Sequence, residues 1–165
     1  MSRFRWIAIF LLLVVAGRAV AQRTTARPDL NGTWRLNIAE SDFGQVPPPT
    51  RQSEVMTQAG DEMAIAVTIE RPESKQSYTL RFRMGGGESR IGMLFAEDAP
   101  FRIVSVKGEW KGAVLVVTER VQSQGADGTV EAKYQLASGG KKLRKATHVA
   151  MPAGEFDTTT VYDRE

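Results

Sequence analysis

Residues 63–84, MAIAVTIERPESKQSYTLRFRM, contain two segments in which apolar and polar side chains alternate. The apolar positions are Met63, Ile65, Val67 and Ile69 in the first segment and Tyr78, Leu80, Phe82 and Met84 in the second. Successive side chains of a β-strand point to opposite faces, so this period of two predicts two strands that each bury one face. Pro72-Glu73-Ser74 separates them and predicts a turn. The segments therefore predict antiparallel strands over a single core.

The same arrangement extends along the chain. Thr129–Leu136 alternates in the same way, and turn signals recur every 12–14 residues from Gly60 onward. They are Gly60-Asp61, Pro72-Glu73-Ser74, Gly85–Gly87, Asp98–Pro100, Lys111-Gly112, Gly125–Gly128, Ser138–Gly140 and Pro152–Gly154. This spacing leaves room for one strand of about 8–10 residues and one turn. We expect an all-β protein, an antiparallel up-and-down meander of nine or ten strands counted from Trp34.

A meander of this size has two exposed edge strands unless it curls and closes. Closure into an up-and-down barrel removes both edges, so we expect a barrel. An open curved sheet and a two-sheet sandwich are the alternatives.

Residues 38–43 are the one place after the N-terminal segment where we expect a turn of helix. They precede the loop 45–50, in which Pro47, Pro48 and Pro49 forbid regular structure.

Residues 1–21 differ from the rest of the sequence. Arg3 and Arg5 precede the apolar run WIAIFLLLVVAG at residues 6–17, and Ala19-Val20-Ala21 forms a small-x-small cleavage pattern. This order is typical of a secretory signal peptide, and the run is shorter than the roughly 20 apolar residues that cross a bilayer. We expect a signal peptide at 1–21, a flexible leader at 22–29 and a single barrel domain at 30–165. The mature protein is then periplasmic or extracellular, with no stable membrane insertion.

Several function classes are excluded by composition. Loss of Arg3, Arg5 and Arg18 with the signal peptide leaves 19 basic and 19 acidic residues, so nucleic-acid binding through bulk charge is not expected. The chain has no cysteine and one histidine, His148, which excludes disulfides and histidine-rich metal sites. The glycines at 85–87 lack the Lys-Ser/Thr pair of a phosphate-binding loop. We predict no metal site, no cofactor and no catalytic residue.

The stretch LNGTWRLN at residues 30–37 resembles the opening of calycin-type barrels, the lipocalins and fatty-acid-binding proteins. The longer phrase 30–44 and the ending Val161-Tyr162-Asp163-Arg164 resemble exported bacterial lipocalin-like proteins of unassigned function. The resemblance implies that Trp34 lies at the closed end of the barrel on strand one and that Arg164 packs over it. The sequence shows no helix pair like the lid of fatty-acid-binding proteins.

We predict a non-enzymatic exported protein that binds a small apolar or amphipathic ligand inside the barrel. The predicted ligand-binding residues are Trp34, Phe82, Met84, Tyr134 and Arg164. The alternative is a cell-envelope interaction or scaffold module without a ligand cavity, which would use a sheet edge or the basic segment Lys141–Lys145. An enzyme would need a polar cluster inside the barrel, such as Glu119 with Lys145 or His148.

Overall fold

The computed structural model describes residues 27–94 and 102–165, with the backbone alone for 92–94. Ten strands follow one another in this part of the chain. They are β1 (Gly32–Asp42), β2 (Arg51–Ala59), β3 (Glu62–Arg71), β4 (Ser74–Arg83), β5 (Ser89–Leu94), β6 (Arg102–Lys111), β7 (Val114–Ser123), β8 (Ala126–Ala137), β9 (Lys142–Met151) and β10 (Gly154–Arg164). A 3₁₀ turn, Ser138–Gly140, joins β8 to β9. No α-helix is present within the described ranges.

All ten strands form one antiparallel sheet in the order β4-β3-β2-β1-β10-β9-β8-β7-β6-β5. The first strand pairs with the last, and every other neighbour in the sheet is also a neighbour in sequence. The sheet curls until the end of β4 reaches β6, where Met84 bridges Gly108 and the Gly85 amide donates to the Gly108 carbonyl at 3.1 Å. The predicted all-β meander is confirmed as a nearly closed barrel. The predicted signal peptide and the turn at 98–100 lie outside the described residues.

The lower half of the barrel, where β1 begins and β10 ends, is filled with side chains. Most inward-facing residues of this half retain almost no exposed surface: Trp34, Met56, Met63, Ile65, Leu80, Leu115, Tyr134 and Leu143 are each at most 2% exposed. Trp110 and Leu136 are partly exposed. Burial at this level excludes a water-sized void beside the fully buried residues, which supply a large share of the hydrophobic stabilisation.

The predicted turn of helix at 38–43 is wrong, because β1 continues to Asp42. The strand is irregular there: its pairing with β10 passes from Asn37–Val161 directly to Asp42–Thr159. The extra residues form a bulge that is held by local hydrogen bonds. The Asn37 side chain accepts from the Glu40 amide at 3.2 Å, and the Ser41 hydroxyl donates to the Asn37 carbonyl at 2.7 Å. Hydrogen bonds between Asn or Ser side chains and the local backbone compete with the regular hydrogen bonds between strands. They account for the bulge here and for the loss of apolar–polar alternation in this part of the sequence.

The closed end of the barrel is built on Gly32, Trp34 and Arg164. The Trp34 ring is fully buried and its Nε1 donates to the Leu30 carbonyl at 2.9 Å. The Arg164 guanidinium lies 4.3 Å from the centre of that ring, and it donates to the carbonyls of Asn31 and, at 2.9 Å, Asp29. Gly32 has φ +128°, a conformation that residues with a Cβ rarely adopt. The expected packing of Arg164 over Trp34 is present.

Replacement of Gly108 by alanine is expected to lower the free energy of unfolding by about 1–3 kcal/mol, because a Cβ there would overlap the ring of Phe82. Phe82 packs across the seam where β4 approaches β6, so the overlap would strain the closure of the barrel. Chemical denaturation of Gly108→Ala measures the loss. Gly87→Ala is the control, since a Cβ at Gly87 meets nothing within 4 Å. Equal stabilities for the two variants would contradict this account of the seam.

Candidate functional site

The upper half of the barrel is open to solvent on one side. Inward-facing residues on β2–β4 and β8–β10 keep part of their surface exposed there, namely Gln52, Ile69, Tyr78, Val130, Thr147, Val149 and Thr158. Their counterparts on β6 and β7, Ile103 and Val121, are buried. The strands that carry these residues keep their alternation, whereas β1 and β6 contain irregularities, so the partial exposure of these inward residues indicates accessible space inside the upper half. We call the packed lower half of the interior the floor and the more exposed upper half the chamber.

A cavity of about 160 Å³ lies at the mouth of this chamber. Its walls are inward residues of β2, β9 and β10 and the proline loop between β1 and β2, namely Gln52, Lys145, Thr147, Phe156, Thr158, Thr160 and Tyr162 with Phe43, Val46, Pro47 and Pro49. The loop is tied to β3 because Arg71 donates to the Pro47 carbonyl at 3.1 Å and the Thr50 amide donates to the Glu70 carbonyl at 2.8 Å. Apolar and hydroxyl groups therefore line the entrance together with the cationic side chains of Arg71 and Lys145.

A buried ion pair lies between the chamber and the floor. The Lys145 Nζ donates to Glu54 Oε1 at 2.8 Å, and the Tyr162 hydroxyl donates to the same oxygen at 2.9 Å. The Gln52 side-chain amide donates to the Tyr162 hydroxyl at 2.8 Å. Glu54 is fully buried and the Lys145 side chain is 13% exposed. Among the described residues, Glu54 Oε2 has no hydrogen-bond partner.

The protonation state of this pair follows from its surroundings. Burial is the largest single effect and acts to lower the pKa of Lys145, but Glu54 and the neighbouring tyrosines Tyr134, Tyr162 and Tyr78 together hold that pKa well above its ordinary value. Lys145 therefore carries its positive charge at neutral pH, and its Nζ lies 5.0 Å from the centre of the Tyr134 ring. Burial and the charge of Glu54 likewise raise the pKa of Tyr134 and Tyr162, so both hydroxyls stay protonated.

Glu119 is a second carboxyl group inside the barrel. It is 8% exposed, and it shares a strand face with the buried Leu115, Val117 and Val121. No hydrogen bond or ion pair reaches it from the described residues. Burial raises its pKa to about 7, with the positive charge of Lys145 lowering that pKa and the negative charge of Glu54 raising it further. Its register partner on β8 is Val130, which is partly exposed, so Glu119 borders the open chamber.

The raised pKa of Glu119 predicts that this residue destabilises the fold above neutral pH. The folded state holds the Glu119 proton more tightly than the unfolded chain does, so stability is highest below about pH 4.5 and falls as the pH rises through about 7. A rise in pKa from 4.5 to about 7 corresponds to about 3 kcal/mol. Glu119→Gln is therefore expected to gain about 3 kcal/mol over wild type at pH 8 and almost nothing at pH 4. Urea denaturation of both proteins across this range measures the difference, and parallel curves would contradict it.

The residues that the sequence predicted as ligand contacts occupy three places. Trp34 and Arg164 form the closed end, and Phe82 and Met84 lie at the lower seam, where Phe82 also borders an outer depression of about 450 Å³. Tyr134 lies in the middle of the barrel beside Lys145. None of the five lines the cavity at the mouth. Their contact with a ligand stays a prediction.

Sequence reasoning missed Gln52, Glu54 and Tyr162 as site residues. A signal was available, because Gln52 and Glu54 share the parity of the buried Met56 on one strand. In the same way Lys145 shares the parity of the buried Leu143. A polar residue at an inward position of an alternating strand therefore marks an interior polar group.

Other chemistry lies outside the barrel. His148 is on the outer face, where its ring Nδ1 is 2.9 Å from the Asp157 carboxylate. The basic segment is divided by strand alternation: Lys145 points inward, Lys142 pairs with Glu40 and Asp163, and Arg144 is exposed. Among the described residues no group of three or more His, Asp or Glu side chains is placed to hold a metal ion. The same residues contain no helix with the length and apolar character needed to cross a membrane.

The architecture is similar to that of known barrels. A secretory abundant heat soluble (SAHS) protein from Ramazzottius varieornatus superposes with a TM-score of 0.55 at 13% identity, over 82% of this chain and 95% of that one. The zebrafish ileal bile acid-binding protein, solved with cholic acid, superposes with a TM-score of 0.54 at 14% identity, over 82% of this chain and 98% of that one. No family model matches the chain, and no curated protein matches its sequence. At these identities the likeness establishes the fold alone, an up-and-down barrel similar to that of the fatty-acid-binding-protein type.

Proposed function

We propose that this protein is an exported, non-enzymatic binding protein that holds a small amphipathic ligand in the upper chamber of its barrel. The observation that carries the proposal is the contrast between the two halves of the interior. The lower half is packed solid, whereas inward-facing residues of the upper half keep exposed surface. An interior without a ligand role would gain hydrophobic stabilisation from larger apolar side chains in that space.

The chamber offers both kinds of contact that an amphipathic molecule needs. Ile69, Val130, Val149 and Phe156 supply apolar surface, and Gln52, Thr147 and Thr158 supply polar groups near the mouth. Sites for small molecules generally combine apolar walls with a few fixed polar groups. The zebrafish protein of the same fold binds a bile acid, an amphipathic molecule, and this supports the same general use of the interior here.

The polar cluster supports binding better than catalysis. Lys145 is held protonated by Glu54, so it is neither a base nor a nucleophile at neutral pH. His148, the other residue considered for an enzyme, lies on the opposite side of the barrel wall. We assign the cluster to fixing the orientation of a bound molecule.

Export is proposed from the N-terminal segment. The positive residues, the apolar run and Ala19-Val20-Ala21 together support cleavage after Ala21. Intact mass of the protein recovered from a bacterial periplasm measures this directly, and a mass that retains residues 1–21 would contradict it.

Native mass spectrometry of the full-length gene product, purified from a periplasm, tests the binding function. We expect an additional mass on the folded protein that disappears when the same sample is denatured. Incubation with a lipid extract is expected to restore that mass to a delipidated sample. A bare mass under both conditions would reject the binding proposal and favour a scaffold role.

A further inference from the structure

Among the described residues, one carboxyl group inside the barrel has no hydrogen bond or ion pair. The positive charge of Lys145 is matched by Glu54 at 2.8 Å. Glu119 is then left over, 92% buried and with no hydrogen bond or ion pair among the described residues. A buried carboxylate in this state is costly unless a cation or hydrogen-bond donor reaches it.

A hydrogen-bond acceptor without a partner also favours a ligand that brings donors or positive charge. Glu54 Oε1 accepts hydrogen bonds from Lys145 and Tyr162, but Glu54 Oε2 is buried without a partner in the described part of the chain. In the described part of the chain, the upper interior therefore has one buried acceptor without a partner, Glu54 Oε2, and one carboxyl group, Glu119, to which no hydrogen bond is made. A ligand that supplies donors or positive charge would satisfy them, whereas an anionic group would meet Glu119 as a like charge.

Partly exposed apolar residues lie beside Glu119 on the neighbouring strands. Its register partner Val130 and the next residue across the sheet, Val149, are both partly exposed and face the chamber. Phe156 at the mouth is the register partner of Val149, so one row of inward positions runs across the sheet from Glu119 to the mouth. A molecule with its charged group at Glu119 and its alkyl chain along this row toward the mouth fits this arrangement.

We propose, on the basis of the binding function above, that the chamber selects cationic amphiphiles: molecules with a protonated amine that pairs with Glu119 and an alkyl chain that lies against Val130 and Val149. The other titratable groups facing this part of the interior are Glu54 on β2, Tyr78 on β4, Tyr134 on β8, Lys145 on β9 and Tyr162 on β10. The inward residues of β3 and β6 at this height are apolar: Val67, Ile69, Ile103 and Val106. At the mouth, Arg71 at the end of β3 is a further positive charge that the ligand passes.

The choice of ligand charge is tested with three probes that share one chain: decylamine, decanol and decanoate, titrated by calorimetry into the delipidated protein. We expect decylamine to bind about tenfold or more tightly than decanol at pH 8, with decanoate the weakest, because a charge-assisted bond adds to the shared apolar contact. Tightest binding of decanoate would overturn this inference and leave the proposed binding function standing. No binding of any probe would overturn both.

The role of Glu119 is tested by Glu119→Gln, which keeps the shape of the side chain and removes its charge. We expect the variant to lose about tenfold or more in decylamine affinity while its decanol affinity changes by less than about threefold. Glu131→Gln, on the same sheet but paired with Lys133 on the outer face, is the control and is expected to bind like wild type. An equal loss for both probes in Glu119→Gln would show a general packing effect and reject the ion pair.

A second readout needs no variant. A bound ammonium requires ionised Glu119, so decylamine affinity of the wild-type protein is expected to fall toward about tenfold per pH unit once the pH drops below the Glu119 pKa of about 7. Decanol affinity is expected to stay level over the same range. Decylamine affinity that is independent of pH between about 8 and about 5.5 would contradict the pairing.

Discussion

Lys145→Met is expected to lower the free energy of unfolding by about 3–5 kcal/mol, because it leaves the fully buried Glu54 carboxyl without the cation that pairs with it. Glu54→Gln is expected to have an effect of similar size, since it leaves the buried Lys145 side chain without its carboxylate partner. Gln at position 54 keeps an oxygen that accepts from the Tyr162 hydroxyl, so this variant removes the charge and spares that hydrogen bond. Thermal and urea denaturation at pH 7 measure both losses.

The double variant Glu54→Gln with Lys145→Met separates the pair from its surroundings. Because it contains neither buried charge, we expect it to be more stable than either single variant. Lys111→Met is the control, since the Lys111–Glu109 ion pair is of similar length at 3.0 Å but exposed, and its loss is expected to leave stability nearly unchanged. Strictly additive losses in the double variant would show that the two charges do not depend on each other.

Trp34→Ala is expected to lower the free energy of unfolding by about 3–5 kcal/mol. The ring is fully buried at the closed end, its Nε1 donates to the Leu30 carbonyl, and the Arg164 guanidinium lies on its outer face. Removal of the ring would leave a cavity in the lower half, because the tightly packed neighbouring side chains cannot move far enough to fill it. Differential scanning calorimetry of the variant measures the change.

Two further variants show whether the effect of Trp34 is local. Trp34→Phe keeps an aromatic face for Arg164 but leaves the Leu30 carbonyl unpaired, so it is expected to lose less than the alanine variant. Phe156→Ala removes an aromatic ring that is 38% exposed at the mouth and is expected to change stability little. If Phe156→Ala were as damaging as Trp34→Ala, the division into a packed floor and an open chamber would be wrong.

Strand number and strand faces were accessible from the sequence because both depend on local patterns. Apolar parity in 63–84 assigned Met63, Ile65 and Val67 to the interior, and each is buried. Turn residues at Gly60, Gly112 and Gly125 separate the strands as expected, and all three adopt positive φ. Where a polar side chain bonded the local backbone, as Asn37 and Ser41 do, the pattern lost its period and the expectation of helix failed.

The composition of the candidate site depended on the tertiary structure. Glu54 and Lys145 are 91 residues apart, and Gln52 and Tyr162 are 110 apart. The alternation of each strand indicates that these side chains point inward. Which of them lie at the same level of the barrel depends on the register between strands, and that register is set only when the sheet closes. The same closure decides which apolar residues, such as Phe82, seal the seam and which, such as Val149, border empty space.

The sequence by itself thus determined the up-and-down strand order and the buried face of most strands, since these follow from periodicity and turn residues. The packing of Arg164 over Trp34 was implied by the resemblance to calycin-type barrels. Tertiary structure alone decided that the lower interior is full, that the upper interior is open, and that Glu119 borders the open part without a partner among the described residues. The physical reason is that free volume and charge balance inside a barrel belong to the whole ring of strands. No single strand carries either quantity in its own pattern.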